Sequence, residues 1–384
     1  MLALVALAEL LGMSVWFTAT AVGPQLALRW ALTSTDTGWL STAVQLGFVV
    51  GTAIAAFLNL ADVVPMRVYF SVAAVAAAAA NAALLIAPDF RTALLCRALT
   101  GACLAGVYPP AMKMAATWFR ARRGLAIGVV VGALTIGKAV PYLLQAVPGT
   151  SLVRVVLSAS GAALMAALLV SLFYRDGPAP FPTRPFNVAL VRIVLSDRRY
   201  RQVLGGYAGH MIELYACWVW LPSFLAASAM AGAGARPESP TWIGVASFLV
   251  IAAGSVGCVL GGELADRVGH VRLVVGAMAM SGACALLTPL VFGRSTALLV
   301  PLLLVWSVTV IADSAQFSTL VTSVVAPHAI GTALTLQTSI GFLLTTVTIQ
   351  LVPFVSDHVG WQYAFPVLAV GPALGILAIR RLRT

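Results

Sequence analysis

"WLSTAVQLGFVVGTAIAAFLNLAD" occupies residues 39–62, and "WIGVASFLVIAAGSVGCVLGGELAD" occupies residues 242–266. Each starts at a Trp, continues through a long apolar run and ends in Leu-Ala-Asp. A run of about 20 apolar residues crosses the hydrocarbon core of a bilayer as a helix. Its return in the second half says that the chain is built twice. A second pair agrees. "LAELLGMSVWF" (7–17) and "MIELYACWVWL" (211–221) both set a Trp seven places after a Glu, and Glu213 follows Glu9 by 213 − 9 = 204 positions. "GLAIGVVVGALTIG" (124–137) and "GTALTLQTSIGFLL" (331–344) match more loosely.

The rest of the chain reads the same way. Of 384 residues, 61% are hydrophobic and 9% charged, whereas soluble domains carry roughly a quarter charged residues. Twelve spans are expected: 1–28, 38–59, 67–87, 91–118, 124–147, 151–173, 203–226, 240–262, 270–292, 297–325, 330–354 and 361–381. Their runs are continuous rather than alternating, which favours helices over a β-barrel. The longest polar break, 174–202, leaves six spans on each side. We therefore expect an all-α membrane protein with a bundle at 1–173, a cytoplasmic loop at 174–202 and a second bundle at 203–384. Parallel repeats of this kind build transporters whose site lies between the halves near the bilayer midplane.

The net charge of +11 is a topology signal. With the N-terminus inside, fifteen arginines fall in inner segments: Arg67, Arg120, Arg122, Arg123, Arg175, Arg184, Arg192, Arg198, Arg199, Arg201, Arg267, Arg272, Arg380, Arg381 and Arg383. Five fall outside: Arg29, Arg91, Arg154, Arg236 and Arg294. That bias places both termini in the cytoplasm, so the expected setting is a bacterial inner membrane and not nucleic acid. The first run is too long for a cleavable signal peptide, and no basic residue precedes it. The five cysteines all lie in spans without ligand spacing, and read as small buried apolar residues. No metal or cofactor is expected. The chain lacks GxxxxGK[ST], which argues against direct ATP drive, and it carries no nucleophile constellation, so no enzyme is expected.

"GELADRVGHVR" (262–272) resembles the loop signature of the major facilitator superfamily, with Gly262, Asp266, Arg267 and Gly269 matching and Arg272 standing in for a displaced basic residue. The first-half copy, "LNLADVVPMR" (58–67), keeps Asp62 and Arg67 but loses both glycines. "RALTGACLAGVYPP" (97–110) resembles the family's fourth helix. "WFRARRGLAIG" (118–128) resembles the next inner loop in anion-symporter and nitrate-transporter branches. The resemblance implies alternating access, and it implies that helices 1, 4, 7 and 10 line the cavity. The loop residues would then act as an inner gate.

Charges inside the spans are the functional candidates, because each costs about 2.5–3.5 kcal/mol at the bilayer centre on insertion scales. They are Glu9, Arg97, Lys113, Lys138, His210, Glu213 and Asp313. Lys113 and Lys138 are the chain's only lysines. Lys113, near an inner end, reads as a snorkelling side chain. Glu9, Arg97, Glu213 and Asp313 fall one on each cavity helix of the resemblance. Trp16, Trp220 and Trp306 each stand seven residues from an acid, about 10 Å outward of it by helical rise. The expected pattern is an aromatic layer above an acidic one. Glu9, Glu213 and Asp313 are the expected proton carriers, since a proton removes a charge that a bilayer tolerates poorly, with His210 as a relay. Arg97 and Lys138 are the expected anchors of an anionic substrate, with Tyr215, Gln45 and Gln316 adding hydrogen bonds.

A proton-coupled transporter of a small anion is thus the leading expectation, acting as a monomer on a small-molecule substrate and protons within the lipid bilayer. A proton-driven exporter of amphipathic cations is the alternative, favoured by acids beneath tryptophans. "GALTIGKAVP" (132–141) lacks the Gly-Pro pair of the antiporter signature. The second and eighth spans lack the central arginines of the nitrate branch. A receptor or scaffold on the same fold is a rival of another class.

Overall fold

The computed structural model describes residues 1–119, 123–178, 186–232 and 239–382. Arg120, Arg122, Arg184, Arg236 and Arg383 lie outside the described residues, as do the side chain of Arg123 and part of the 118–128 motif. Every element among the described residues is helical. Eleven helices are long and apolar enough to cross a membrane. The twelfth crossing is the first span, which is broken into Leu2–Met13, Thr18–Ala21 and Gly23–Trp30.

The other crossings follow in order: Ser34–Phe57, Met66–Ile86, Phe90–Trp118, Gly124–Ala146, Leu152–Phe173, Arg198–Ala231, Thr241–Val268, His270–Val291, Thr296–Val324, Pro327–Val359 and Trp361–Ile379. Some of these are also interrupted. The fourth breaks between Leu104 and Tyr108, where Pro109 and Pro110 supply no N–H to continue the ladder. The tenth breaks at Asp313. A short helix, Val188–Ser196, follows the loop between the halves and packs on the eleventh span.

The two halves pack by the same plan. In the first half the first span packs on the fifth and sixth, the second on the fourth, and the third on the fourth and sixth. In the second half the seventh packs on the eleventh and twelfth, the eighth on the tenth, and the ninth on the tenth and twelfth. Glycines enforce this closeness. A Cβ on Gly47 or Gly51 would overlap the backbone of Ala98 or Ala102. One on Gly257 or Gly261 would overlap that of Val308 or Ala312. Both are small-xxx-small pairs, and in each case the second-half residue lies 210 positions after its first-half counterpart (257 − 47). The bundles meet through the second span against the eleventh and the fifth against the eighth. Gly269, at φ +91°, makes the turn between the eighth and ninth spans, a conformation that glycine adopts without strain.

Candidate functional site

A central cavity of about 250 Å3 lies between the bundles. It shares Tyr108, Met112, Val131, Ser314 and Leu334 with a wider vestibule of about 680 Å3. Gly124, Gly262, Asp266 and His270 border that vestibule, so the space opens at the end of the bundle that holds both termini. The opposite end is closed by an aromatic cluster from both halves. Trp16 packs on Phe48, Tyr215 and Phe342 at centroid distances of 5.2, 6.0 and 5.9 Å. Phe17 meets Tyr142 and Trp218 at 6.1 and 6.5 Å. Beyond the cluster, Gln350 Nε2 donates to Thr42 Oγ1 at 3.1 Å across the bundle interface.

Lys138 stands where cavity and cluster meet. Among the described residues it is the one charged side chain on the central cavity wall, and it is buried. Its ammonium lies 4.0 Å from the Trp16 ring centroid and 4.6 Å from that of Tyr215, within cation–π range. It also donates to Tyr215 Oη. Lys138 belongs to the fifth span and Tyr215 to the seventh, so this bond joins the two bundles.

The other intramembrane charges sit behind the wall. The structure corrects the expectation that the first, fourth, seventh and tenth spans line the cavity through Glu9, Arg97, Glu213 and Asp313. The first span contributes no lining residue, because its inner piece packs against the fifth and sixth spans. The lining comes instead from the second, fourth, fifth, seventh, tenth and eleventh. Glu9 is fully buried and neither carboxylate oxygen has a hydrogen-bond partner. Lys138 is the charge acting on it. Glu213, its repeat counterpart, is fully partnered: Ser281 Oγ donates to Oε2 at 2.8 Å and Trp306 Nε1 to Oε1 at 2.7 Å. His210 Nδ1 approaches Asp313 Oδ1 at 2.8 Å, off the hydrogen-bond axis, at the break of the tenth span. Tyr207 and Phe317 flank that pair.

Arg97 does not reach the cavity either. It donates to the carbonyls of Val15 and Trp16, inside the break of the first span, and to Asn81 Oδ1 at 2.8 Å. Asn81 in turn donates to Ser160 Oγ and the Val156 carbonyl. A membrane span has no water to satisfy the carbonyls freed by a break; here a guanidinium does so.

The single aromatic layer above an acidic layer is also absent. Trp306 lies against Glu213, because the seventh and tenth spans pack together. Trp220 donates to the Ile349 carbonyl and packs on Trp361, away from the cavity. Trp16 alone reaches the site, as the backing of Lys138. Gln45 is buried with both amide atoms unpartnered, and Gln316 Oε1 lies 2.7 Å from His270 Nδ1 in the vestibule.

Among the loop residues, Asp62 pairs with Lys113, which also donates to the Ala61 carbonyl. Lys113 is therefore a bonded link between the first-half loop and the fourth span, not a snorkelling side chain. Gly262 and Asp266 border the vestibule. Arg67, Asp266, Arg267 and Arg272 are exposed, and no ion pair holds them among the described residues. Sequence reasoning missed Phe48, Trp218, Gln337 and Phe342 on the cavity wall. Trp218 had a signal, since it follows Tyr215 by three places and so shares its helix face. The others read as ordinary residues of their spans. Among the described residues no group of three or more His, Cys, Asp or Glu is placed to hold a metal.

A bacterial homologue of the human lysosomal transporter Spinster, solved in inward-facing unoccupied and inward-facing occupied conformations, has the same fold. The TM-score is 0.70 and the identity 15% for both. The matches cover 99% and 98% of this chain and 95% and 94% of that one. No curated protein matches the chain in sequence. Residues 4–349 match the profile of the Major Facilitator Superfamily. With twelve crossings in two six-helix bundles around a central cavity, this multi-pass integral membrane protein belongs to the Major Facilitator Superfamily.

Proposed function

We propose that the protein is a proton-coupled secondary transporter of a small organic anion. The bundles 1–173 and 203–384 would rock about the central cavity, joined by 174–202. Both termini, and therefore the open vestibule, would face the cytoplasm of a bacterial inner membrane, as the arginine bias favours. The observation that carries the reading is Lys138: a lone buried ammonium on an otherwise uncharged cavity wall. Among the described residues the wall itself offers this ammonium no carboxylate, Glu9 lying behind it, and an anion in the cavity would supply a counter-charge on that side. The cation-export alternative has less support, because among the described residues no carboxylate lines the central cavity and the aromatic faces already hold Lys138.

Glu9 is the proton carrier in this scheme. Its oxygens have no donor, and Lys138 is the charge it responds to. An anion that neutralises Lys138 and a proton that neutralises Glu9 would therefore favour each other's binding. Coupling of this kind requires that both ligands prefer the same state. Asp313 and His210 form a second candidate proton site, while Glu213 has a structural role in fixing Trp306 and Ser281.

The test is uptake of labelled benzenesulfonate, which stays charged at working pH, into proteoliposomes under an imposed pH gradient. Glu9→Gln is expected to lower gradient-driven uptake at least tenfold while leaving counterflow exchange intact. If both Glu9→Gln and Asp313→Asn retain full gradient-driven uptake, the proton role is wrong.

A further inference from the structure

The wall around Lys138 narrows the kind of anion that the cavity suits. Three features bear on it. The first is the count of charges: the central cavity offers one cation and no other charged group among the described residues. A second negative charge on the solute would face Phe48, Met211, Leu214 or Trp218 with nothing to pair it, which is a large penalty.

The second is the ammonium's donors. Lys has three, and one goes to Tyr215. The rings of Trp16 and Tyr215 cover part of the remainder. Too few donors are left to replace the hydration shell of an inorganic oxyanion, but enough to hold one face of a carboxylate or sulfonate.

The third is the rest of the wall. Around the ammonium it is aromatic and aliphatic, and Met112 and Met211 add adaptable apolar surface. Its polar groups other than Lys138 and the tyrosines are Thr52 on the second span and Ser314, Ser318, Thr335, Gln337 and Thr338 on the tenth and eleventh. A volume of about 250 Å3 has room for an apolar body beyond the charged head. Such a body releases water from the wall, whereas a bare ion leaves that surface unfilled.

From these, resting on the assignment of Lys138 as the anion site, we infer that the solute is an amphipathic monoanion. It carries one carboxylate or sulfonate on an aromatic or short aliphatic body. Its head would take the ammonium beside Tyr215, and its body would lie along Phe48, Trp218 and Phe342.

The full-length protein in lipid nanodiscs decides this by equilibrium binding. The probes are methanesulfonate, butanesulfonate and hexanesulfonate, with nitrate, inorganic phosphate and hexylammonium as comparisons. Affinity is expected to rise about tenfold for every two methylenes, from the transfer free energy of a buried CH2. Nitrate, phosphate and hexylammonium are each expected to bind at least tenfold more weakly than hexanesulfonate. Lys138→Gln should remove hexanesulfonate binding, and Lys138→Arg should restore most of it.

A flat chain-length series, or nitrate or phosphate binding more tightly than hexanesulfonate, overturns the amphipathic assignment and leaves the anion reading standing. Hexylammonium binding more tightly than hexanesulfonate, or no anion binding at all, overturns the anion reading itself. If Lys138→Gln does not fold, the series and the charge-swapped pair on the unaltered protein still decide both questions.

Discussion

Glu9 and Glu213 hold matching places in the two halves, yet their surroundings differ in what each oxygen touches. Glu213 accepts from Ser281 and Trp306, so a Gln there keeps one acceptor and turns an amide N–H toward a donor. Losing one buried bond and leaving a donor unmatched costs about 1–3 kcal/mol. Glu213→Gln is accordingly expected to lower Tm by a few degrees, read by thermal unfolding in detergent, whereas Glu9→Gln, with no donor to lose, leaves Tm unchanged or higher. Outside the membrane, Asp89 caps the fourth span. The Thr92 backbone N–H donates to its Oδ1 at 2.8 Å and holds the carboxyl below the usual carboxylate range. A lowered folded-state value means that the stabilisation is present at neutral pH and fades as pH falls through that value. Asp89→Ala should therefore lower Tm at pH 7, and the gap from the unaltered protein should close on acidification. The charges themselves were legible in the sequence, because a charge in an apolar run stands out. Their partners were not: Glu213 is satisfied from the ninth and tenth spans, and no spacing within the seventh span encodes that. Lys138 was legible as one of two lysines, but its place between Trp16 and Tyr215 depends on the meeting of two bundles.

Twelve crossings could be read from length and hydropathy alone, since the bilayer fixes how long an apolar run must be. The breaks in the first and tenth spans could not. No proline marks residues 14–17 or 313, and what makes a break tolerable is a donor arriving from elsewhere in the bundle. In the first span that donor is Arg97, whose guanidinium serves the carbonyls of Val15 and Trp16 as well as Asn81. Arg97→Ala leaves those groups buried and unmet, so Tm should fall by roughly 5–10 °C. Lys at this position should recover only part of the loss, because it lacks the planar fork that reaches several acceptors at once. The glycine pairs set a second limit on elements. A Cβ at Gly101 would overlap the Val44 carbonyl, whereas one at Gly161 meets nothing within 4 Å. Gly101→Val should then fail to yield a monodisperse peak by size exclusion, and Gly161→Ala should behave as the unaltered chain does. The repeat of these pairs in the second half was present in the sequence. It stood apart from the Glu–Trp offset by six positions, so a single-offset search passes over it.

For the whole molecule, the question is which contacts must part when the closed end opens. They include Gln350 with Thr42, Tyr142 Oη with the Trp218 carbonyl, and the tight approach of Gly244 to the Tyr142 backbone. A Trp at Gly244 has no room while that end is shut, and should push the carrier toward the opposite state. Labelling would show it. A cysteine at Ser318, on the cavity and vestibule walls, should react with a membrane-impermeant thiol reagent added at the termini face, and should lose at least half its rate in the Gly244→Trp background. An unchanged rate would mean that the two ends do not move in opposition. The bond from Lys138 to Tyr215 belongs to the same set, since it ties the fifth span to the seventh beside the closed aromatic cluster. On the proposed function, an empty carrier that opens this end would strand an ammonium among aromatic rings, while a loaded one would hand that ammonium to its cargo. In the proposed cycle the return trip without cargo would thereby be the slow one, and a proton gradient would be protected from running down through an idle protein.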